Sequence, residues 1–553
     1  MKKTLSILLL VFMLFSALSL SKAENEKTES FISGDWEYTI QEDGTATIIE
    51  YLGGDGDITI PDTVDGKRVT SLETGICLWP KKIHSITIPD SVKSIGNEVF
   101  SRCNDLSSIS IPNSVTSIGN RAFDNCHSLR SITIPDSVMH IGDYAFTSCN
   151  SLESITIPKS VTSIGANPFT WCGELSDIRV SPDHPYLATI DGVLFSKPDK
   201  KLVCYPCSFA SPIYEIPKGI KVIGKSAFAR CSSLVCIVIP DSVTTIEDLS
   251  FSLCSNLIDV TIPDSVISIG SDAFSSCNSL NSISIPNSVQ RIKSNPFTYC
   301  INLSEIRVSS DHPYLTTIKG MLYSKPDNRL ICYPYSSKAV SLDIPNVIKI
   351  IGKRAFYGCS SLHHIMIPDG VTNIEDEAFS WCTSLIDLNI PDGVTNIGNE
   401  AFYNCESLKS LMIPNSVTNI GDGAFGLCKL LKSISLSDNM KSIGQYMFYY
   451  CESLPSIIIP NSVTSIGPYA FSECSSLITI TIPNSVTSIG EEAFRLCRNL
   501  VSISIPDSVI RIDDEAFPFD AQVTVPHNSY AAAHCEEKGY KYTYSDANDW
   551  LNE

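Results

Sequence analysis

Cysteine is the residue type through which this chain would first be expected to do chemistry, because it holds 21 of them. Cys204-Tyr205-Pro206-Cys207 has the spacing of a redox dithiol, in which one thiolate attacks and a second thiol resolves. The segment 128 residues later reads Cys332-Tyr333-Pro334-Tyr335, which keeps the frame, loses the second sulfur and speaks for a structural copy. Fifteen other cysteines each close a Phe-x-x-Cys element: Cys103, Cys126, Cys149, Cys172, Cys231, Cys254, Cys277, Cys300, Cys359, Cys382, Cys405, Cys428, Cys451, Cys474 and Cys497. A nucleophile is needed once, whereas a residue set at one fixed position many times over serves packing. Cys236, near Cys231, and Cys535 leave room for a local bridge. Of nine histidines only His184 and His312 recur, inside copied segments, which suits a turn or packing residue better than a base. No Gly-x-Ser-x-Gly elbow, His-Glu-x-x-His, phosphate loop, EF-hand or zinc-type Cys/His spacing occurs. No catalytic residue, metal or cofactor is therefore expected; an enzyme would have to assemble its site from scattered coils.

The elements that carry these residues follow from a period of 23. Ile-Pro recurs with its proline at 89, 112, 135 and 158, at 217, 240, 263 and 286, at 345, 368, 391 and 414, and at 460, 483 and 506. Before each proline, polar and apolar residues alternate, as in Ser108-Ile109-Ser110-Ile111, which predicts a short half-buried strand ended by a residue that cannot donate to a ladder. Gly96, Gly119, Gly142 and Gly165 sit at one offset, where a tight bend would call for positive φ. Phe100, Phe123 and Phe146 supply one ring per coil, expected to stack into a spine. A coil this small cannot bury its own apolar side, so stability must come from its neighbours. Equivalent cysteines on stacked coils would have parallel Cβ vectors about 4.8 Å apart, too far for a bridge, so a ladder of buried thiols is expected.

The unit Leu-x-x-Ile-x-Ile-Pro-x-x-Val-x-x-Ile-Gly-x-x-Ala-Phe-x-x-Cys, as in residues 129–149, resembles the BspA-like, or treponemal-type, leucine-rich repeat over about residues 58–525. The resemblance implies a repeat solenoid exported to a microbial cell surface or beyond and acting in adhesion. The expected fold is a leucine-rich-repeat arc with one parallel β-sheet, a short strand per coil, irregular or short-helical return segments and two projecting β-hairpin inserts. These inserts, near 182–212 and 310–340, share Asp183-His184-Pro185-Tyr186-Leu187 with Asp311-His312-Pro313-Tyr314-Leu315, and each carries a Lys-Pro-Asp turn. They are read as bracing adjacent coils in preference to binding.

Lys2 and Lys3, the apolar run Leu5 to Leu20 and Ser21-Lys22-Ala23 read as a signal peptide over 1–23. A β cap is expected over 24–60, with a Glu42-Asp43-Gly44 turn, then the solenoid over 61–525 and a C-terminal cap and tail over 526–553. No later run reaches membrane-spanning length, so no transmembrane segment is expected after cleavage. With 40 Lys+Arg against 60 Asp+Glu, a net charge of −20 without a basic cluster excludes a nucleic-acid partner. The outward strand positions are mostly Ser and Thr, which suits a solvated sheet. Asp177, Arg179, Glu305, Arg307, His364, Met366, Asp387 and Asn389 depart from that pattern and mark the expected ligand-binding patch on the concave face. The expected function is a secreted or surface-exposed, non-catalytic protein that binds an extracellular protein or a cell surface. The alternative is a structural spacer without a specific ligand.

Overall fold

Each coil closes through backbone hydrogen bonds to the coils before and after it. The computed structural model describes residues 29–73, 75–76 and 81–545. Two compact units divide the chain, residues 1–168 and 169–553. The expected signal peptide lies outside the described residues.

In the first unit, antiparallel strands Ser30–Ser33, Trp36–Ile40 and Ala46–Tyr51 form the N-terminal meander. Asp43 Oδ1 accepts from the Thr45 amide at 3.0 Å, and Gly44 supplies a φ of +79° in the turn. Ala46–Tyr51 then pairs in parallel with Lys67–Leu72, which starts a ladder through Ser94–Ile95, Ser117–Ile118, His140–Ile141 and Ser163–Ile164. A separate parallel sheet contains Gly56–Thr59, Ile83–Thr87 and Ser108–Ser110. Each coil can thus supply two strands: the expected one before Ile-Pro, and an unexpected two-residue strand just before the glycine. The return segments are turns. Among the described residues the single helix is Tyr530–Lys538.

The glycine column is required for a different reason from the one expected. Gly119 is not in the left-handed region; a Cβ there would stand 2.5 Å from the carbonyl carbon of Gly96 on the preceding coil. Positive φ falls instead on Glu98 (58°) and Arg102 (64°), two residues either side of Phe100. The amides of Glu98, Phe100 and Arg102 donate to the carbonyls of Asn120, Ala122 and Asp124 at 2.7–2.9 Å. Left-handed backbone costs an L-residue roughly 1–2 kcal/mol, which these bonds to the next coil offset. Side chains after the glycine tighten the same seam, as Asn120 Oδ1 accepts from the Asp143 amide at 2.7 Å.

The second unit repeats both ladders, for example Val222–Ile223 through Arg291–Ile292, and Ile213–Glu215 with Cys236–Val238. Its phenylalanines stack as expected, with Phe228–Phe251 centroids 5.0 Å apart and Phe379–Phe402 5.2 Å at 4°. The inserts contain the expected hairpins and one strand more. Leu187–Ile190, Val193–Ser196 and Lys201–Cys204 run antiparallel, and the last joins the ladder beside Val222–Ile223. Leu315–Ile318, Met321–Ser324 and Arg329–Cys332 do the same beside Ile350–Ile351. Val193, Leu194 and Phe195 are buried, so the insert widens the core instead of projecting as a free arm. At the end, Gln522–Val525 pairs with Ser502–Ser504 and with Tyr542–Tyr544. The helix between is capped by Ser529 Oγ, which accepts from the Ala532 amide, and is stopped by Gly539 at φ 75°.

Ladder cysteines are hydrogen-bond donors to backbone. Cys126 Sγ donates to the Phe100 carbonyl at 3.2 Å, Cys254 to Phe228 at 3.0 Å and Cys497 to Phe471 at 3.1 Å, always 26 residues back. Burial pushes the Cys382 and Cys428 thiols up to about 12, so they remain protonated donors. Cys103 departs from the expected thiol ladder, because its sulfur is held in a disulfide. It is the first rung, and 26 residues back the sequence holds Cys77 where later coils place the phenylalanine; residue 77 lies outside the described residues.

The close approach at the glycine column predicts that Gly421→Ala, whose Cβ would lie 2.4 Å from the Asn399 amide nitrogen, costs about 1–3 kcal/mol. Gly173→Ala, with nothing within 4 Å, should be near neutral in the same denaturant titration.

Candidate functional surface

A side chain two residues before the proline of a coil points outward, and so does the one two positions earlier, because the isoleucine or leucine between them must face the core. The eight residues picked from the sequence take these positions in the second unit, four of them before Pro368 and Pro391 and four before Ser181 and Ser309, which stand in the place of the proline. Asp177 and Arg179 share one strand and form an ion pair. Arg307 Nη2 donates to Glu305 Oε2 at 2.5 Å, and each holds the other charged: the Glu305 carboxyl lies below its ordinary range and the Arg307 guanidinium above. Ser284 and Arg307 stand side by side in register, and an open depression of about 590 Å³ next to them is lined by Asp264, Pro286, Asn287 and Ser309.

The other four residues come together. Strands Ser341–Asp343, His364–Met366 and Asp387–Asn389 pair in parallel, with Ser341, His364 and Asp387 in one row and Asp343, Met366 and Asn389 in the next. His364 Nδ1 lies 2.8 Å from Asp387 Oδ1, with both side chains exposed. Lys319, in the second insert, reaches Asp343 Oδ2 at 3.7 Å. Ile365 is buried beneath this patch. Met366 is 60% exposed, an unusual cost for so large an apolar side chain on a strand that could carry Ser or Thr.

Met412, on strand Ser410–Met412, is 71% exposed and Ile458 is 87% exposed. Both occupy the column of Met366, two and four coils further on, and sequence reasoning missed them. The signal was present, since proline-minus-two can be read for Pro414 and Pro460 as it was for Pro368. The patch therefore has an apolar row on alternate coils, with Asn389 and Ser435 between, and a polar row beside it that runs from the His364–Asp387 pair to Ser410, Ser433 and Ser456.

Histidines of the inserts are structural, as expected. His312 is buried, its Nδ1 accepts from the amides of Tyr314 and Leu315 at 3.1 and 3.0 Å, and its Nε2 lies 3.0 Å from the Pro286 carbonyl. Burial lowers its pKa. His184 is likewise buried and its Nδ1 accepts from Tyr186 and Leu187. Among the described residues no group of three or more His, Cys, Asp or Glu is placed to hold a metal ion, and no helix is long and apolar enough to cross a membrane.

Two carboxyls are held in an unfavourable setting, Asp124, which burial pushes up to about 6, and Glu400. Burial, reinforced by Glu377, pushes the Glu400 carboxyl up to about 7, against the opposing charges of Arg354 and Lys353. Between the ordinary carboxylate value and 7 the native state holds a proton that the unfolded chain releases, so stability falls as pH rises through that window. Glu400→Gln should then raise stability by roughly 1–3 kcal/mol at pH 8 and leave it nearly unchanged at pH 4.5, read by thermal melts at the two pH values.

The family model described as BspA type leucine rich repeat region matches in six copies, over residues 71–197, 201–325, 331–454 and 395–524. Among solved structures, a leucine rich cell surface protein from Faecalibacterium prausnitzii is 27% identical, with 86% of this chain and 95% of that one covered at a TM-score of 0.28. A leucine-rich repeat protein from Bacteroides ovatus is 24% identical, covering 90% and 99% at a TM-score of 0.29. One from Eubacterium ventriosum is 18% identical, covering 88% and 95% at 0.38. No protein of curated function matches the chain.

Proposed function

The chain belongs to the BspA-type leucine-rich-repeat family, and on that premise we propose that it is exported and binds an extracellular protein or a cell-surface ligand without catalysis. The surface we assign to this binding is the open face of strands Ser341–Asp343, His364–Met366, Asp387–Asn389 and Ser410–Met412. One observation carries the reading: Met366 and Met412 are exposed in a column where coils such as those of Ser110, Thr133, Thr156, Ser284, Thr481 and Ser504 place Ser or Thr. Methionine is flexible and polarisable, which suits an adaptable contact, and the His364–Asp387 pair beside it gives a polar rim. Export is supported by the leader-like sequence at 1–23 and by the resemblance to surface-directed repeats.

On strands Ile83–Thr87 and Ser108–Ser110 of the first unit, Ser85, Thr87, Ser108 and Ser110 make a hydroxyl face, which favours a spacer role for those coils. The test is binding of residues 24–553 to a panel of extracellular matrix proteins and to whole cells. Met366→Asp/Met412→Asp should weaken saturable binding at least about tenfold, the loss expected for removing hot-spot contacts. Arg179→Ala/Arg307→Ala, which opens two self-neutralised ion pairs, serves as the comparison. Saturable binding unaffected by the methionine changes would remove this face from the proposal, and no binding at all would leave the spacer.

A further inference from the structure

The two insert-bearing junctions of the second unit lie on one frame 128 residues apart and can be compared position by position. At the second junction three tyrosines form a clamp. Tyr299 Oη and Tyr357 Oη are 2.9 Å apart, their rings meet edge to face at 4.9 Å, and Tyr335 stands 6.2 Å from Tyr299. Gly358, at φ +71°, makes room for Tyr335, whose ring would stand 2.5 Å from any Cβ there. At the first junction the corresponding positions are Trp171, Ala229, Cys207 and Arg230, and no such clamp can form. The Arg230 guanidinium lies over the Trp171 ring at 5.3 Å. Cys207 Sγ donates to the Ala229 carbonyl at 3.1 Å and lies 3.4 Å from the Sγ of Cys231. Cys231 is also the ladder cysteine with a stretched backbone contact, 3.7 Å to the Tyr205 carbonyl against 3.0 Å for Cys254 on the next coil.

We propose that Cys207 and Cys231 are an oxidisable pair, and that their disulfide closes the first insert onto the following coil where the second insert uses tyrosines. The sulfurs must approach from 3.4 Å to about 2.05 Å. Cys207 is partly exposed and Cys231 is buried, which orders the reaction. The hydrogen bond from Cys231, with the Trp171 amide and Arg230, holds the Cys207 thiol below its ordinary value, while burial holds Cys231 well above. With glutathione disulfide as oxidant, the Cys207 thiolate attacks one glutathione sulfur and expels the first glutathione thiolate. Cys231 then gives its proton to solvent and attacks Cys207 Sγ, expelling the second. Two electrons pass from the protein thiols to the oxidant, and the two protein protons end on two glutathione thiols.

This pairing differs from the Cys204–Cys207 dithiol suggested by the sequence, and the experiment separates them. The full chain is equilibrated with glutathione disulfide, blocked with an alkylating reagent in acid, digested without reduction and mapped by mass spectrometry. The expected product is a cross-link between the peptides holding Cys207 and Cys231, absent in Cys207→Ser. Oxidation should raise the melting temperature of the wild-type chain, and Cys207→Ser should abolish that rise. Because Cys207 is partly exposed, this variant keeps the fold testable if Cys231→Ser does not. Recovery of both cysteines as alkylated thiols after oxidation, or a Cys204–Cys207 link, overturns the proposal.

Discussion

The structure depends on one contact repeated within each unit: on most coils a glycine lets the backbone lie against the preceding coil, close enough that a single methyl group cannot fit between Gly119 and Gly96, while Glu247, Lys293, Glu375 and Asp513 hold the same position elsewhere. This approach brings the amides of Glu98, Phe100 and Arg102 within reach of the next coil's carbonyls. It also sets the Phe100–Phe123 ring distance at 5.2 Å, so hydrogen bonding and aromatic burial are satisfied by the same spacing. An altered coil length would break both together. The 23-residue period is a geometric requirement of that shared seam.

The same requirement consumes most residue types that could do chemistry. Cysteine thiols become protonated donors to phenylalanine carbonyls, because an apolar stack leaves no other acceptor and burial disfavours the thiolate. Asn and Asp after the glycine accept amides from the next coil, as Asn399 does from Asp422. The insert histidines cap their own turns. Polar side chains of the kinds that mark sites in other folds serve here to satisfy backbone that the tight stack would otherwise strand.

Freedom to vary is left on the open face of the strands and at the insert junctions. On the face, a side chain meets solvent and answers only to its rung neighbours, so His364, Met366 and Met412 can replace Ser or Thr without disturbing the core. At the junctions the frame tolerates two solutions, an aromatic clamp around Tyr299 and a thiol pair at Cys207, because both fill the corner where the insert re-enters the ladder.

The coil boundaries, the strand before each Ile-Pro, the phenylalanine spine and the buried cysteine column were legible in the amino-acid order. Each rests on a local preference or on a period, and periodicity is a one-dimensional property. The second strand at Ser117–Ile118 was not, because two residues carry no alternation and are strands only by virtue of their neighbours. The reason for the glycines was misread for the same cause: steric exclusion by the preceding coil leaves no trace in local torsional preference. Nor could the sequence separate Cys103 from its fourteen equivalents, or choose Cys231 over Cys204 as the neighbour of Cys207. Composition and spacing by themselves determined a solenoid of stacked coils without a conventional catalytic motif, and the parallel sheet was what the family resemblance implied. Which outward side chains meet, which ions neutralise each other and which sulfurs face one another was decided only by the tertiary structure, since these depend on distances between residues 23 or more apart.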